Sequence, residues 1–85
     1  MSVRVKLFGL LRIDSGIKEL ELEAATVREL YPRLLEEMRK LNPSCALEEK
    51  DLRACVVAVN DRRVKPGAKL SPGDVVSLLP PVAGG

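Results

Sequence analysis

Thr26-Val27-Arg28-Glu29-Leu30-Tyr31-Pro32-Arg33-Leu34-Leu35-Glu36-Glu37-Met38-Arg39-Lys40-Leu41 is the stretch whose reading decides the fold. Thr26 and Glu29 stand three apart, as a capping box requires, with Thr26 at the N-cap and Glu29 at N3. Val27, Leu30, Tyr31, Leu34, Met38 and Leu41 recur at helical spacing on one face. Arg28, Glu29, Arg33, Glu36, Glu37, Arg39 and Lys40 cover the other, the pattern of a solvated face. Pro32 removes one helical hydrogen bond and is expected to kink the axis. Asn42-Pro43 ends the segment. One long amphipathic helix has to bury its stripe against other elements, and the flanking sequence supplies them.

Upstream, Val3, Val5 and Leu7 alternate with Arg4 and Lys6, the period-2 pattern of a half-buried strand. Gly9 to Gly16 reads as a connection carrying Leu10, Leu11 and Ile13. A second strand holds Ile17, Leu20 and Leu22 against Lys18, Glu19, Glu21 and Glu23, with imperfect alternation near Lys18-Glu19. Downstream, a loop with Leu47 and the charged stretch Glu48 to Arg53 leads into an apolar strand, Ala54 to Val59. Asn60-Asp61 reads as a hairpin turn without the usual glycine in second place. Val64 begins a short return strand and Leu70 plugs the core. Ser71-Pro72-Gly73-Asp74 carries Pro at i+1 and Gly at i+2, as a type II turn requires. A final strand runs from Val75 to Leu79. Strand, strand, helix and then two or three strands point to an α+β domain, one helix packed across a mixed sheet of four to five strands. A β-grasp arrangement would set the first and last strands side by side, in parallel, at the centre.

Composition narrows the function. The 85 residues suffice for one small domain and one core. Hydrophobic residues at 46% and charged residues at 31% place the chain among globular sequences. The net charge of +2 arises from interspersed charges, and Phe8 and Tyr31 are the two aromatics, so neither a basic block nor a stacking platform for nucleic acid is present. No apolar run reaches the length of a membrane span and no signal-peptide pattern opens the chain, which predicts a cytoplasmic protein with no membrane partner. Histidine is absent, which removes the commonest general base and metal ligand. Cys45 and Cys55 match neither a zinc spacing nor a disulfide framework. Cys55 sits in an apolar run as a small buried hydrophobe. Cys45 lies in a loop, where a reactive thiol is the minority reading.

The remaining signal is the ending, Leu78-Leu79-Pro80-Pro81-Val82-Ala83-Gly84-Gly85. Two terminal glycines arise by chance in roughly 0.5% of chains at a usage of about 7%. Pro80 and Pro81 donate no N–H and cannot continue a ladder, so they end the last strand and launch an extended tail. Gly84 and Gly85 have no Cβ and pass through a slot too narrow for other residues. The terminal carboxyl, with a reference pKa of about 3.3–3.7, is anionic at neutral pH, and a partner supplying ATP can activate it as an acyl-adenylate. A frayed end with no role is the competing reading. The expected layout is a domain over residues 1–80 and a flexible tail over 81–85.

The order of elements, the Asn60 turn, Leu70…Pro72-Gly73-Asp74-Val75-Val76, the opening Val5-Lys6-Leu7-Phe8-Gly9 with Arg12, and above all Pro80-Pro81-Val82-Ala83-Gly84-Gly85 resemble the MoaD/ThiS-type ubiquitin-like sulfur carriers. The resemblance covers essentially the whole chain, and the Pro-Pro and overall length are more similar to MoaD-type members. It implies that the Gly85 carboxylate is adenylated by an E1-like enzyme of the MoeB type and converted to a thiocarboxylate. It implies that Pro81, Val82, Ala83, Gly84 and Gly85 thread into a MoaE-like large subunit, as the sulfur-donating subunit of a molybdopterin synthase, in molybdenum cofactor synthesis. Phe8, Leu79 and Pro80 match positions near the partner surface. No cofactor is expected on this chain, since ATP is used by the activating enzyme, and the chain is not catalytic alone. Pro32 within the helix and Asn60-Asp61 in place of Asn-Gly depart from the family pattern. Alternatives of the same chemistry are tRNA thiolation, thiamin thiazole or cysteine synthesis. A ubiquitin-like modifier of the archaeal SAMP type, joined to lysines of other proteins, is a different class. A plain β-grasp interaction module with an idle tail is the last.

Overall fold

The structure, a computed structural model, describes residues 2–81. Its elements are β1 (Val3–Leu7), α1 (Gly9–Ser15), β2 (Glu19–Leu22), α2 (Val27–Leu41), α3 (Glu49–Arg53), β3 (Val56–Val59), β4 (Arg62–Val64) and β5 (Val75–Leu79). The sheet order is β2-β1-β5-β3-β4. β1 and β5 run parallel with Leu7 opposite Leu78, and every other pairing is antiparallel. This is the expected β-grasp arrangement, with β5 at the centre and α2 across one face.

Alternation explains the sheet. Val3, Val5 and Leu7 of β1, Val57 of β3, and Val76 and Leu78 of β5 point to one face, where they meet Val27, Leu30, Tyr31, Leu34, Leu35 and Met38 of α2. Each side chain so buried contributes about 1.5–3 kcal/mol. That decides the matter of Pro32. An internal proline costs about 3 kcal/mol, far less than six buried side chains supply, and α2 runs through it as one helix.

The start of α2 is secured twice. The Glu29 N–H donates to Thr26 Oγ1 at 3.3 Å, and the Thr26 hydroxyl donates to the Glu29 carboxylate. The Glu29 side chain thus meets the cap's hydroxyl, where a full capping box would place it on the cap's N–H. The next orphan donors are met by a distant loop: the Val27 N–H bonds to the Ala68 carbonyl and the Arg28 N–H to the Pro66 carbonyl. At the other end, the apolar stripe overruns its cover. Leu41 was expected on the buried face and is 62% exposed.

Three further expectations are corrected. The connection after β1 is a helix, α1, anchored by buried Leu11 and Ser15, the Ser15 hydroxyl bonding back to the Leu11 carbonyl at 2.6 Å. The stretch before β3 contains α3, closed by reciprocal bonds between Glu48 and Asp51, so β3 begins at Val56 and not at Ala54. Leu70 is half-buried, packed at the margin of the core. The turns stand as expected: Asn60 and Asp61 take φ of 51° and 70°, a two-residue hairpin turn of the primed kind, and Gly73 takes φ of 86°.

Candidate functional site

β5 is hydrogen-bonded on both sides to its last residues, Leu78 opposite Leu7 and Leu79 opposite Val56. Pairing then stops, since Pro80 has no N–H to offer. The half-buried Pro80 ring rests on Gly9, the first residue of α1, where a Cβ would fall 2.8 Å from Pro80 Cγ. Gly9 also holds φ of 57°, a conformation that side chains resist. Pro81 is fully at the surface. The chain therefore leaves the sheet in a direction set by contact between residues near its two ends.

The sheet face opposite α2 carries no covering element among the described residues. Around the exit it presents Phe8 and Leu79, each 39% exposed, beside half-buried Val56 and Pro80. The start of β5 is fixed separately. Asn60 Oδ1 accepts from the Val75 N–H, and Asn60 Nδ2 donates to Asp74 Oδ1. The Ser71 N–H and the Asn60 amide hold the Asp74 carboxyl below the usual carboxylate range. β5 is thus pinned at its beginning by a side-chain clamp and freed at its end by proline.

Comparison with known proteins identifies the group. The model of the ThiS family matches residues 5–85, through the last residue of the sequence. The chain belongs to the ThiS family. No match is found among curated proteins. Among solved structures, the chain is similar to SAMP1 from Haloferax volcanii at 25% identity and a TM-score of 0.75, with both chains covered in full. It is similar at 33% identity, TM-score 0.65 and again full coverage of both chains to a protein in the complex of subunits 1 and 2 of the molybdopterin-converting factor from Helicobacter pylori. A chain of the BexX/CysO complex of Amycolatopsis orientalis matches at 31% identity and a TM-score of 0.70, covering 98% of this chain and 99% of that one. Two of these three structures are complexes with a partner protein. The fold is that of the ubiquitin-like sulfur carriers.

Within this ThiS-family chain, the expected site residues divide in two. Phe8, Leu79, Pro80 and Pro81 come together at the exit of β5. Val82, Ala83, Gly84 and Gly85 lie outside the described residues. Gly9 and Val56 belong to the same exit and escaped the sequence reading, since neither carries a chemical signal of its own. Cys45 lies in a loop as expected, and it is buried with Leu47 at the core, against the minority reading of a reactive thiol. Cys55 is buried as expected, its thiol pushed up to about 11 by burial and by the nearby Asp51 carboxylate. Among the described residues no group of three or more His, Cys, Asp or Glu side chains gathers to hold a metal, and no helix is long and apolar enough to cross a membrane.

Proposed function

We propose that this chain is a sulfur carrier whose working group is the Gly85 carboxylate. The observation that carries the reading is the exit itself. The central strand ends at Pro80-Pro81 beside exposed Phe8 and Leu79, and the family match continues through the diglycine. In the proposed chemistry a carboxylate oxygen attacks the α-phosphorus of ATP in the pocket of an E1-like enzyme, and pyrophosphate leaves. Sulfide then attacks the acyl carbon and displaces AMP, leaving a thiocarboxylate with sulfur in place of one oxygen. Pro81 through Gly85 then thread into a MoaE-like large subunit, where the sulfur passes to the pterin precursor of molybdopterin. The 33% identity to the molybdopterin-converting factor protein, over the whole of both chains, supports this acceptor.

A second reading is favoured by the similarity to SAMP1: a modifier whose activated Gly85 is taken by a lysine amine of another protein. Both share the adenylation step. Intact-mass measurement after incubation with ATP, a sulfide source and an E1-like enzyme tests the first. The expected result is a mass gain equal to exchanging oxygen for sulfur, abolished by deleting Gly85 and by Gly84→Val with the fold intact. A Gly85-deleted chain that still supported sulfur transfer would overturn it. A gain in mass followed by capture of a MoaE-like subunit supports the molybdopterin acceptor, whereas Gly-Gly remnants on cellular lysines support the modifier.

A further inference from the structure

The two edges of the sheet carry opposite charge. In the order β2-β1-β5-β3-β4, β2 and β4 each have a neighbour on one side alone among the described residues. β2 holds Glu19 and Glu21 and no cation. β4 holds Arg62 and Arg63 and no anion, and Lys65 follows it directly. All five side chains belong to exposed residues. Arg4 reaches Glu19 at 3.9 Å and Glu21 at 3.3 Å from the next strand, and a carboxylate accepts from more than one donor.

The main chain turns outward at the residues that carry these charges. The Leu7 N–H donates to the Lys18 carbonyl, so Leu7–Lys18, Val5–Leu20 and Val3–Leu22 are the hydrogen-bonded pairs of that antiparallel ladder. Glu19 and Glu21 therefore point their N–H and C=O away from β1. At the other edge the Asn60 N–H donates to the Val75 carbonyl, so Ala58 faces β5, while Val57 and Val59 face Val64 and Arg62 of β4. Arg63 is left with its N–H and C=O pointing outward. The directions agree as well. Followed through the sheet, β2 and β4 run antiparallel to each other. A second copy displaced sideways, without rotation, thus sets its β4 antiparallel to the first copy's β2, with α2 on the same side of both.

We propose that this chain joins a second copy of itself edge to edge, β4 of one against β2 of the next, with Arg63 opposite Glu21 and Lys65 opposite Glu19. On the face away from α2, each cation then stands directly across from a carboxylate, a favourable cross-strand pair. On the α2 face, Val64 falls opposite Leu20, two half-buried side chains that a single copy leaves at the margins of its core. Arg62 falls opposite Leu22, beside a groove of about 370 Å³ whose wall includes Glu36 and Glu37. The level register, with Arg63 opposite Glu19, would instead set Asp61 against Glu21 and part Val64 from Leu20. The symmetric pairings, β2 on β2 and β4 on β4, oppose like charges. The favoured register is staggered by two residues, so successive copies step by about 7 Å along the strands. Such a head-to-tail contact is open-ended, and every β5 exit in the row lies on the same side. Nothing in this pairing depends on the chemistry of the C-terminus.

The test is sedimentation equilibrium of the full chain. At low ionic strength the weight-average mass should rise with concentration, to about twice the monomer mass or more near 1 mM, and fall back toward monomer in about 0.5 M salt. Arg63→Glu with Lys65→Glu makes both edges acidic, and Glu19→Lys with Glu21→Lys makes both basic. Each variant alone should stay monomeric, and an equal mixture should regain the wild-type behaviour, since each supplies the edge that the other lacks. Arg63→Pro removes an N–H that the β3–β4 ladder does not use, so the domain should fold and remain monomeric. A wild-type chain that stays monomeric at every concentration overturns the inference. So does a single-edge variant or Arg63→Pro that associates like wild type, or a mixture that does not recover. Each of these outcomes leaves the carrier reading standing, since sulfur transfer is read separately.

Discussion

Gly9 shows how one residue can decide where a chain leaves a sheet. It stands 71 positions from Pro80 in sequence, yet its missing Cβ is what lets the Pro80 ring settle against α1. Gly9→Ala forces both a left-handed backbone on a substituted residue, costing about 1–2 kcal/mol, and a displacement of the tail's first proline. The expected outcome is a fall in Tm of about 5–10 °C together with slower activation of the C-terminus. Gly67→Ala, at a glycine with open space around it, should change neither by a comparable amount. Thermal melts and exchange rates on the two variants check this, and a wild-type exchange rate in Gly9→Ala would refute the steering role. The cysteines make a second case at this scale. Both are buried, so a thiol reagent at pH 8 should titrate neither in the native protein and both in denaturant. The raised pKa of Cys55 means that the folded chain holds this proton more tightly than the unfolded one. Its stabilising contribution is complete below about pH 9 and is lost as pH rises toward 11. Cys55→Ala should remove that part of the alkaline slope, read as Tm against pH.

Among the elements, what was legible in the sequence tracks the length of the repeating pattern. β1 and β5 are buried on one face; the bounds of β1 were readable from alternation, and those of β5 from the Pro72-Gly73 turn before it and the Pro80-Pro81 stop after it. α2 offered four turns of apolar spacing. α1 and α3 offered one or two, with one buried leucine each, and their caps lie in unusual chemistry: a left-handed glycine opens one and a glutamate caps the other. Such helices are held by tertiary contacts, as when Asn42 Nδ2 bonds to the Ser15 carbonyl and ties the end of α1 to the end of α2. The site divides in the same way. The proline stop and the apolar Phe8 and Leu79 announce themselves locally, whereas the contact of Gly9 with Pro80 exists only once distant segments meet. At the β3–β4 turn the sequence posed a definite question by placing Asp61 where glycine is usual. The structure answers with φ of 70°. Asp61→Gly should therefore stabilise the domain by about 0.5 kcal/mol, a rise in Tm of about 2–4 °C, measured by thermal melting. A lower Tm would show that Asp61 earns its place through something other than the turn.

For the molecule as a whole, the decisive feature is that its first and last strands are neighbours. β1 and β5 are parallel, the chain enters at one end of the sheet and leaves at the other, and β5 is gripped on its second side by β3. Suppose a partner tugs on the tail. Force applied to the end of β5 runs along the strand, so the ladder bonds to β1 and to β3 are loaded together, in shear. Peeling, which would break them one at a time, needs a pull across the strands, and the fold presents no handle for it at the exit. On the carrier reading proposed above, the topology that sets the exit also makes the chain beyond it a tether, drawn into a narrow pocket and withdrawn, turnover after turnover, while the domain behind it holds.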